Sequence, residues 1–301
     1  MTGDAPGVHP LTRALPLFVL AGLCLSSLDA TGKYLVHEHA LLLVVWARYA
    51  GQMLVVTPFA WHRNRGGFWR ARHPGIQLLR STCLLCATLC FFGGLRYLPL
   101  AEGSSIMYLA PMLVVILSRP LLGEQPTRAR WIATIAGFAG ILILARPGSS
   151  IFHPSALLLA LAALFNALFF VLTRRLADED AHTTLFYSAL VGTIALSLAL
   201  PWANAGPFTW RDIALFVLLG VFAGAGHWLV ISAYRLAPAS LLTPFTYLQI
   251  MWATLYGWAI FDQLPDRWSA LGMAVVVLSG ALLALKERRR ALALRASAAQ
   301  R

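Results

Sequence analysis

Ten apolar runs follow one another along this chain, each close to the length of a bilayer-spanning helix, with only short connections between them. They cover 14–36, 40–60, 74–95, 102–118, 129–146, 154–173, 183–201, 211–233, 239–261 and 268–285. A helix needs ~20 apolar residues to cross the ~30 Å hydrocarbon core, and inside lipid it must satisfy its own backbone. The runs therefore consume most of the 301 residues. Hydrophobic residues make up 59% and charged residues 12%, against about 25% charged in soluble domains; the mean hydropathy is +0.70. The longest connection, 61–73, holds no catalytic domain. The expectation is an all-α polytopic membrane protein of ten transmembrane helices.

The net charge of +12 suits a nucleic-acid binder only if the bases share one exposed face. Here 22 of the 24 basic residues are Arg, most of them in short connections, which reads instead as a topology signal. With the N-terminus placed inside, cytoplasmic segments hold 17 of them and outside connections only Arg96, Arg146, Arg211 and Arg267. Both termini are thus expected in the cytoplasm, and no nucleic-acid partner is expected. Arg13 precedes an apolar run that ends in Ser-Ser-Leu-Asp-Ala, but Leu28 stands where a signal peptidase site wants a small residue, so an uncleaved first helix is the better reading.

The chain repeats itself. Gly123-Glu124-Gln125-Pro126 with Arg130-Trp131 matches Phe261-Asp262-Gln263-Leu264-Pro265 with Arg267-Trp268; Tyr108-Leu109 matches Tyr247-Leu248, and Gly140 matches Gly280. This divides the chain into a first five-helix repeat, 14–146, a second, 154–285, and a basic cytoplasmic tail, 286–301. Because five is odd, the second repeat enters the membrane inverted. Inverted repeats that exchange conformations around a midplane site are the architecture of secondary transporters.

A charge in the hydrocarbon core costs at least ~2.5–3.5 kcal/mol, so each one needs a reason. Asp29 and Lys33 lie four apart on one face of the first segment, and Arg48 lies on the second at similar depth. They form either a substrate-binding or gating cluster, or a salt bridge pinning two helices with Lys33 snorkelling outward. Arg80 is placed to snorkel toward the cytoplasmic headgroups. His227 follows Gly220, Ala223 and Gly224 on one helical face; it suits substrate binding, a proton relay or a buried interhelical hydrogen bond, and Gly220-x-x-x-Gly224 permits close helix approach. Asn166, Tyr187, Tyr108, Thr243, Tyr247 and Gln249 lie at repeat-related positions and suit either pore lining or interhelical packing, while Pro111 and Pro244 interrupt their helices.

Cys83, Cys86 and Cys90 form a one-sided stripe without a fourth ligand, best read as small-residue packing. With Cys24 they are too few for a disulfide framework. No Walker loop, nucleophile elbow or zincin motif is present, so neither a cofactor nor a resident metal is expected.

Further residues carry a family resemblance: Arg174-Arg175-Leu176, Gly226-His227-Trp228, Ala233-Tyr234-Arg235-Leu236-Ala237-Pro238-Ala239-Ser240, Pro244-Phe245-x-Tyr247 and Gly257-Trp258-x-x-Phe261. Over 14–285 the chain resembles the EamA-type branch of the drug/metabolite transporter superfamily. The resemblance implies a central cavity between the halves, lined mainly by the first, third, fourth, sixth, eighth and ninth segments. That places Asp29, Tyr108, Asn166, His227, Tyr247 and Gln249 on lining helices; Glu124 and Asp262 are repeat mates that tie those helices to neighbours.

The reading is a bacterial inner-membrane secondary transporter working by alternating access. It would export a small zwitterionic, amino-acid-like metabolite, an opine-type metallophore being one such substrate, because an acid, nearby bases, a histidine and tyrosines suit a solute bearing both charges. The alternative is an importer of a vitamin or nucleoside-like solute such as riboflavin or S-adenosylmethionine, where stacking matters more. An intramembrane enzyme ranks below both, since only Asp29 and His227, on opposite halves, are available as acid and base. The expected partners are the solute, the lipid bilayer and a second copy of the chain as a homodimer.

Overall fold

The computed structural model describes residues 10–299 apart from 65–66, 68, 123–127, 146–152, 177–178, 203–206 and 237–247. Among these residues the chain is all α. In order the helices are α1 (Pro10–Glu38), α2 (Leu41–Asn64), α3 (Pro74–Leu95), α4 (Leu100–Met107), α5 (Leu109–Leu122), α6 (Arg128–Ala145), α7 (Ser155–Arg175), α8 (Ala181–Ala199), α9 (Trp210–Leu236), α10 (Leu248–Phe261) and α11 (Arg267–Ala299). Within the described residues six of them, α1, α2, α3, α7, α8 and α9, contain stretches long and apolar enough to cross a membrane; shorter apolar stretches lie in 100–114, 131–140 and 267–283.

The run expected as one helix over 102–118 is two. α4 ends at Met107, Tyr108 turns with φ −70° and ψ −2°, and α5 resumes at Leu109. The sequence supplies a reason in Pro111, which lacks the N–H that an unbroken helix would give to the carbonyl four residues back. The other interruption foreseen, at Pro244, lies outside the described residues, as do Thr243 and Tyr247.

Helix starts follow the local chemistry. Pro74 opens α3, where a missing N–H costs nothing, and the His73 N–H donates to Glu179 Oε1 at 2.8 Å. α9 begins with a reciprocal cap: the Thr209 N–H donates to Asp212 Oδ2 at 2.8 Å, and the Asp212 N–H to Thr209 Oγ1 at 3.3 Å.

The largest helix pairings are α1 with α9, α6 with α11 and α3 with α7, followed by α2 with α9 and α2 with α8. With α4 and α5 taken as one broken rod, exchanging the first five rods with the last five maps this pattern onto itself. α1–α9 becomes α7–α3; α6–α11 and α2–α8 map onto themselves; α2–α9 becomes α8–α3, and α5–α7 becomes α10–α1, all of which are present. The two halves therefore pack with the same rules.

Glycines set the closest approaches. A Cβ on Gly51 would lie 2.6 Å from Gly220 Cα, and one on Gly220 would lie 2.5 Å from Gly51 Cα, so α2 and α9 touch backbone to backbone. One turn on, Gly224 meets the Val55 side chain. The small-residue pair expected on α9 does bring two helices together, and α2 is the partner. On the other side of α2, the Tyr49 ring fills the notch left by Gly192 on α8.

Candidate functional site

Three cations that the apolar runs contain are fully enclosed: Lys33, Arg48 and Arg80 are only 2%, 5% and 4% exposed. Neither Lys33 nor Arg80 snorkels. Arg80 instead ties α3 to the second half: Nε donates to Thr173 Oγ1 at 2.6 Å on α7, Nη1 to Ser188 Oγ at 2.8 Å and to the Thr184 carbonyl at 3.3 Å on α8. Its guanidinium lies 4.2 Å from the Phe169 ring centroid. Hydroxyls, a carbonyl and an aromatic face replace the hydration that headgroups would have supplied.

Lys33 is also claimed by protein. Nζ donates to the Leu95 carbonyl at 2.9 Å and to the Leu98 carbonyl, where α3 ends, and it lies 5.3 Å from the Phe261 ring centroid. A cation there complements the negative end of α3. Glu102 is its neighbouring negative charge, and Glu102 Oε1 accepts from Ser269 Oγ at 2.7 Å. Lys33 and Glu102 belong to the first half, Phe261 and Ser269 to the second. This set stitches the halves together at the C-terminal end of α1.

Among the described residues no ion pair within 4 Å joins Asp29 to Lys33 or to Arg48; the tight charge triad that the spacing suggested does not form. Arg48 Nη1 donates to Thr88 Oγ1 at 3.3 Å, and Tyr49 Oη donates to the same hydroxyl at 2.9 Å, since Thr88 gives its own proton to the Leu84 carbonyl. The guanidinium still acts through space, as the positive charge shared by Asp29 and His227.

Four polar side chains behave differently. Asp29 on α1, Asn166 on α7, His227 on α9 and Gln249 on α10 all remain part-exposed. The Gln249 side-chain amide is a close polar neighbour of the Asp29 carboxyl, and the Gln249 backbone carbonyl accepts from Ser26 Oγ at 3.4 Å. His227 Nδ1 donates to the Ala223 carbonyl at 2.8 Å, which leaves Nε2 as its second, acceptor-capable face. Asn166 lies seven residues, or 20° of helix rotation, from Thr173. It therefore shares the α7 face that receives Arg80. The four groups come from both halves: Asp29 and His227 lie within the field of Arg48, Asn166 is on the α7 face that Arg80 touches, and Gln249 neighbours Asp29. What they can offer a solute is one carboxylate acceptor, two amides and an imidazole, in a field where Arg48 and Arg80 outnumber Asp29.

Tyr108 is buried at the break between α4 and α5. Tyr187 is drawn elsewhere: its hydroxyl donates to the Trp69 carbonyl at 2.9 Å, in the α2–α3 connection. The four cysteines are free thiols, and among the described residues no group of His, Cys, Asp and Glu is placed to hold a metal ion. A separate surface pocket of about 610 Å³ opens at the α1–α2 turn, where His39 Nε2 lies 3.2 Å from Asp212 Oδ1.

The supporting hydroxyls of Thr88, Thr173 and Ser188, and the indole of Trp252, which meets α1 at Gly22, emerge only from the fold. Nothing in a run of apolar residues distinguishes an inward-facing Thr or Trp from a packing one, so no local signal marked them.

A profile of the EamA-like transporter family matches this chain twice, over residues 12–146 and 153–285. The chain belongs to that family. As a member it is a transporter of the drug/metabolite type, multi-pass in the membrane, and its two matched stretches coincide with the two halves that pack alike. A riboflavin transporter of Vibrio cholerae is 29% identical over 282 residues, spanning 91% of this chain and 93% of that protein. A riboflavin transporter of Rhizobium johnstonii is 28% identical over 276 residues, 90% of this chain and 91% of its own. An S-adenosylmethionine uptake transporter of Rickettsia prowazekii is 24% identical over 275 residues, 90% and 92% of the two chains. One solved crystal structure shares the fold with a TM-score of 0.69 at 21% identity, covering 93% of this chain and 99% of that one.

Proposed function

We propose that this EamA-like transporter has ten transmembrane spans in two inverted repeats, 14–146 and 154–285, with both termini and the 286–301 tail in the cytoplasm. It works as a secondary transporter of the bacterial inner membrane, by alternating access around Asp29, Asn166, His227 and Gln249. Its solute is a neutral, carbonyl-rich heteroaromatic with a polyhydroxyl chain, riboflavin or a close analogue, and its direction is inward. The observation that supports this reading is the set of part-exposed polar groups on α1, α7, α9 and α10, helices that pair across the two halves.

Charge and kinship both support the choice of solute. Two buried arginines against one carboxylate favour neutral or electron-rich groups and disfavour a net cation such as S-adenosylmethionine. The riboflavin transporters of two species are similar to this chain along nearly its whole length. The relatives named for uptake favour import over the export of a zwitterion expected from the charges alone. That expectation also counted Lys33 near Asp29, whereas Lys33 is spent on the Leu95 and Leu98 carbonyls.

In this scheme Lys33, Glu102, Phe261 and Ser269 form the outer closure, because they join the halves at the outer end of α1. The test is uptake by proteoliposomes carrying the purified full chain. Saturable uptake of labelled riboflavin, competed by unlabelled riboflavin and not by S-adenosylmethionine, is the expected result. Uptake of S-adenosylmethionine without riboflavin, or release of preloaded amino acids with neither, overturns the solute assignment.

A further inference from the structure

Trp252 sits one turn beyond Gln249 on α10, and its indole edge lies against α1 at Gly22, where a Cβ would be 3.9 Å from both Cδ1 and Nε1. Gly22 precedes Asp29 by seven residues, which is 20° of helix rotation and about 10 Å along the axis. The indole therefore lies over the same face of α1 that carries Asp29, two turns nearer the N-terminus. Side chains on a helix lean toward its N-terminus, which explains how a residue beyond Gln249 reaches back along α10 to this level.

Among the described residues the buried Nε1–H of Trp252 meets no acceptor. Buried donors are almost always paired, because an unmet one gives up its hydration for nothing. The ring itself is part-exposed, and Gly22 adds no side chain in front of it. The face thus offers an acceptor and an amide at Asp29 and Gln249, then, about 10 Å away, an unmet N–H on the edge of an aromatic plane.

We infer that Trp252 is a solute-contacting, specificity-determining residue: its indole stacks on the heteroaromatic ring and its N–H donates to a ring carbonyl. This rests on the riboflavin-type reading and deepens it, since it names the group that recognises the ring. A polyhydroxyl chain then falls toward Asp29 and Gln249, which suit hydroxyls as acceptor and donor.

The experiment pairs Trp252→Phe with Trp258→Phe in the full chain, reconstituted and supplied with riboflavin. Trp258 is 54% exposed on the outer face of α10 and serves as the control. Phenylalanine keeps an aromatic plane and removes the donor. The half-saturating riboflavin concentration is expected to rise about five- to ten-fold, the worth of one hydrogen bond, with the maximal rate within about two-fold. A second readout is the emission of bound riboflavin, which a stacked indole quenches and a phenyl ring does not. Trp252→Phe brightens it, and Trp258→Phe leaves it dark. Where Trp252→Phe fails to fold, Gly22→Val supplies the test, because its methyls occupy the space before the indole edge and should abolish uptake. Wild-type affinity and quenching in Trp252→Phe, or normal uptake by Gly22→Val, overturns the assignment while leaving riboflavin transport standing. Absence of riboflavin uptake by the wild-type chain overturns the transport reading itself.

Discussion

The Gly51–Gly220 crossing supports a sharp prediction. In Gly220→Ala the new Cβ lies 2.5 Å from Gly51 Cα, 2.8 Å from Gly51 C and 3.3 Å from the Gln52 N. Carbon atoms rest at about 3.5–4.0 Å, so α2 and α9 must part by roughly 1 Å. All three neighbours are backbone and cannot rotate away. The gap opened along the crossing forfeits a quarter to a half of the dispersion energy there, and overpacking of this kind costs about 1–3 kcal/mol. Gly224→Ala makes a useful contrast, since its Cβ would meet Val55 Cγ1 at 2.8 Å and Val55 Cβ at 3.0 Å, and a side chain can be trimmed. Thermal unfolding of the purified protein in detergent should show both single variants destabilised. Val55→Ala should then restore most of the loss in Gly224→Ala, while Gln52→Ala does nothing for Gly220→Ala. Wild-type stability in Gly220→Ala, or its rescue by shortening a neighbouring side chain, would refute the backbone-contact argument.

Other expectations follow from the same contacts. Arg80→Met should change stability by less than about 1 kcal/mol, because Thr173 and Ser188 already donate to the Phe169 and Thr184 carbonyls and an apolar filler spares the burial of a charge. Arg80→Ala, which leaves a void, should cost about 2–4 kcal/mol, and equal melting of the two variants would argue against this account. Ser269→Ala removes a hydrogen bond to the Glu102 carboxylate, worth about 1.5–3 kcal/mol. It should populate an outward-open form at least about ten-fold more, read as longer spin-label distances between the ends of α4 and α11; unchanged distances would exclude the closure role. Asp29→Asn keeps the shape of the site and removes its carboxylate. If Asp29 couples transport to protons, the variant loses the pH dependence of uptake, and a wild-type pH profile would remove Asp29 from that role.

Part of the architecture was legible in the residues. Apolar run lengths gave an all-α chain with several helices long enough to cross a membrane, and Pro111 marked the break at Tyr108. What failed is what a linear pattern cannot encode, namely which neighbour a side chain meets. Arg80 lies near enough to one end of α3 to have reached headgroups, yet Thr173 and Ser188 come from helices about a hundred positions away. The i, i+4 spacing of Asp29 and Lys33 is real, but the C-terminal end of α3 competes for the ammonium and wins with two carbonyls. Gly220 and Gly224 announced a close approach without naming Gly51 as its other side. Asn166, His227 and Gln249 were found because a polar group in an apolar run stands out; Trp252 does not stand out, being apolar in composition and polar only at one atom.

The last helix is longer than any bilayer requires. α11 runs for 33 residues, about 50 Å, of which a ~30 Å hydrocarbon core can occupy little more than half. Roughly 20 Å of rigid rod therefore projects beyond it, rooted in the packing of α11 against α6, where the two halves join. A rod fixed at its base converts angle into displacement, so each ten degrees of rocking carries its tip through roughly 3 Å. A dye at that tip would act as the needle of a gauge, reporting every turnover of the transporter from outside the membrane without touching the path that the solute takes.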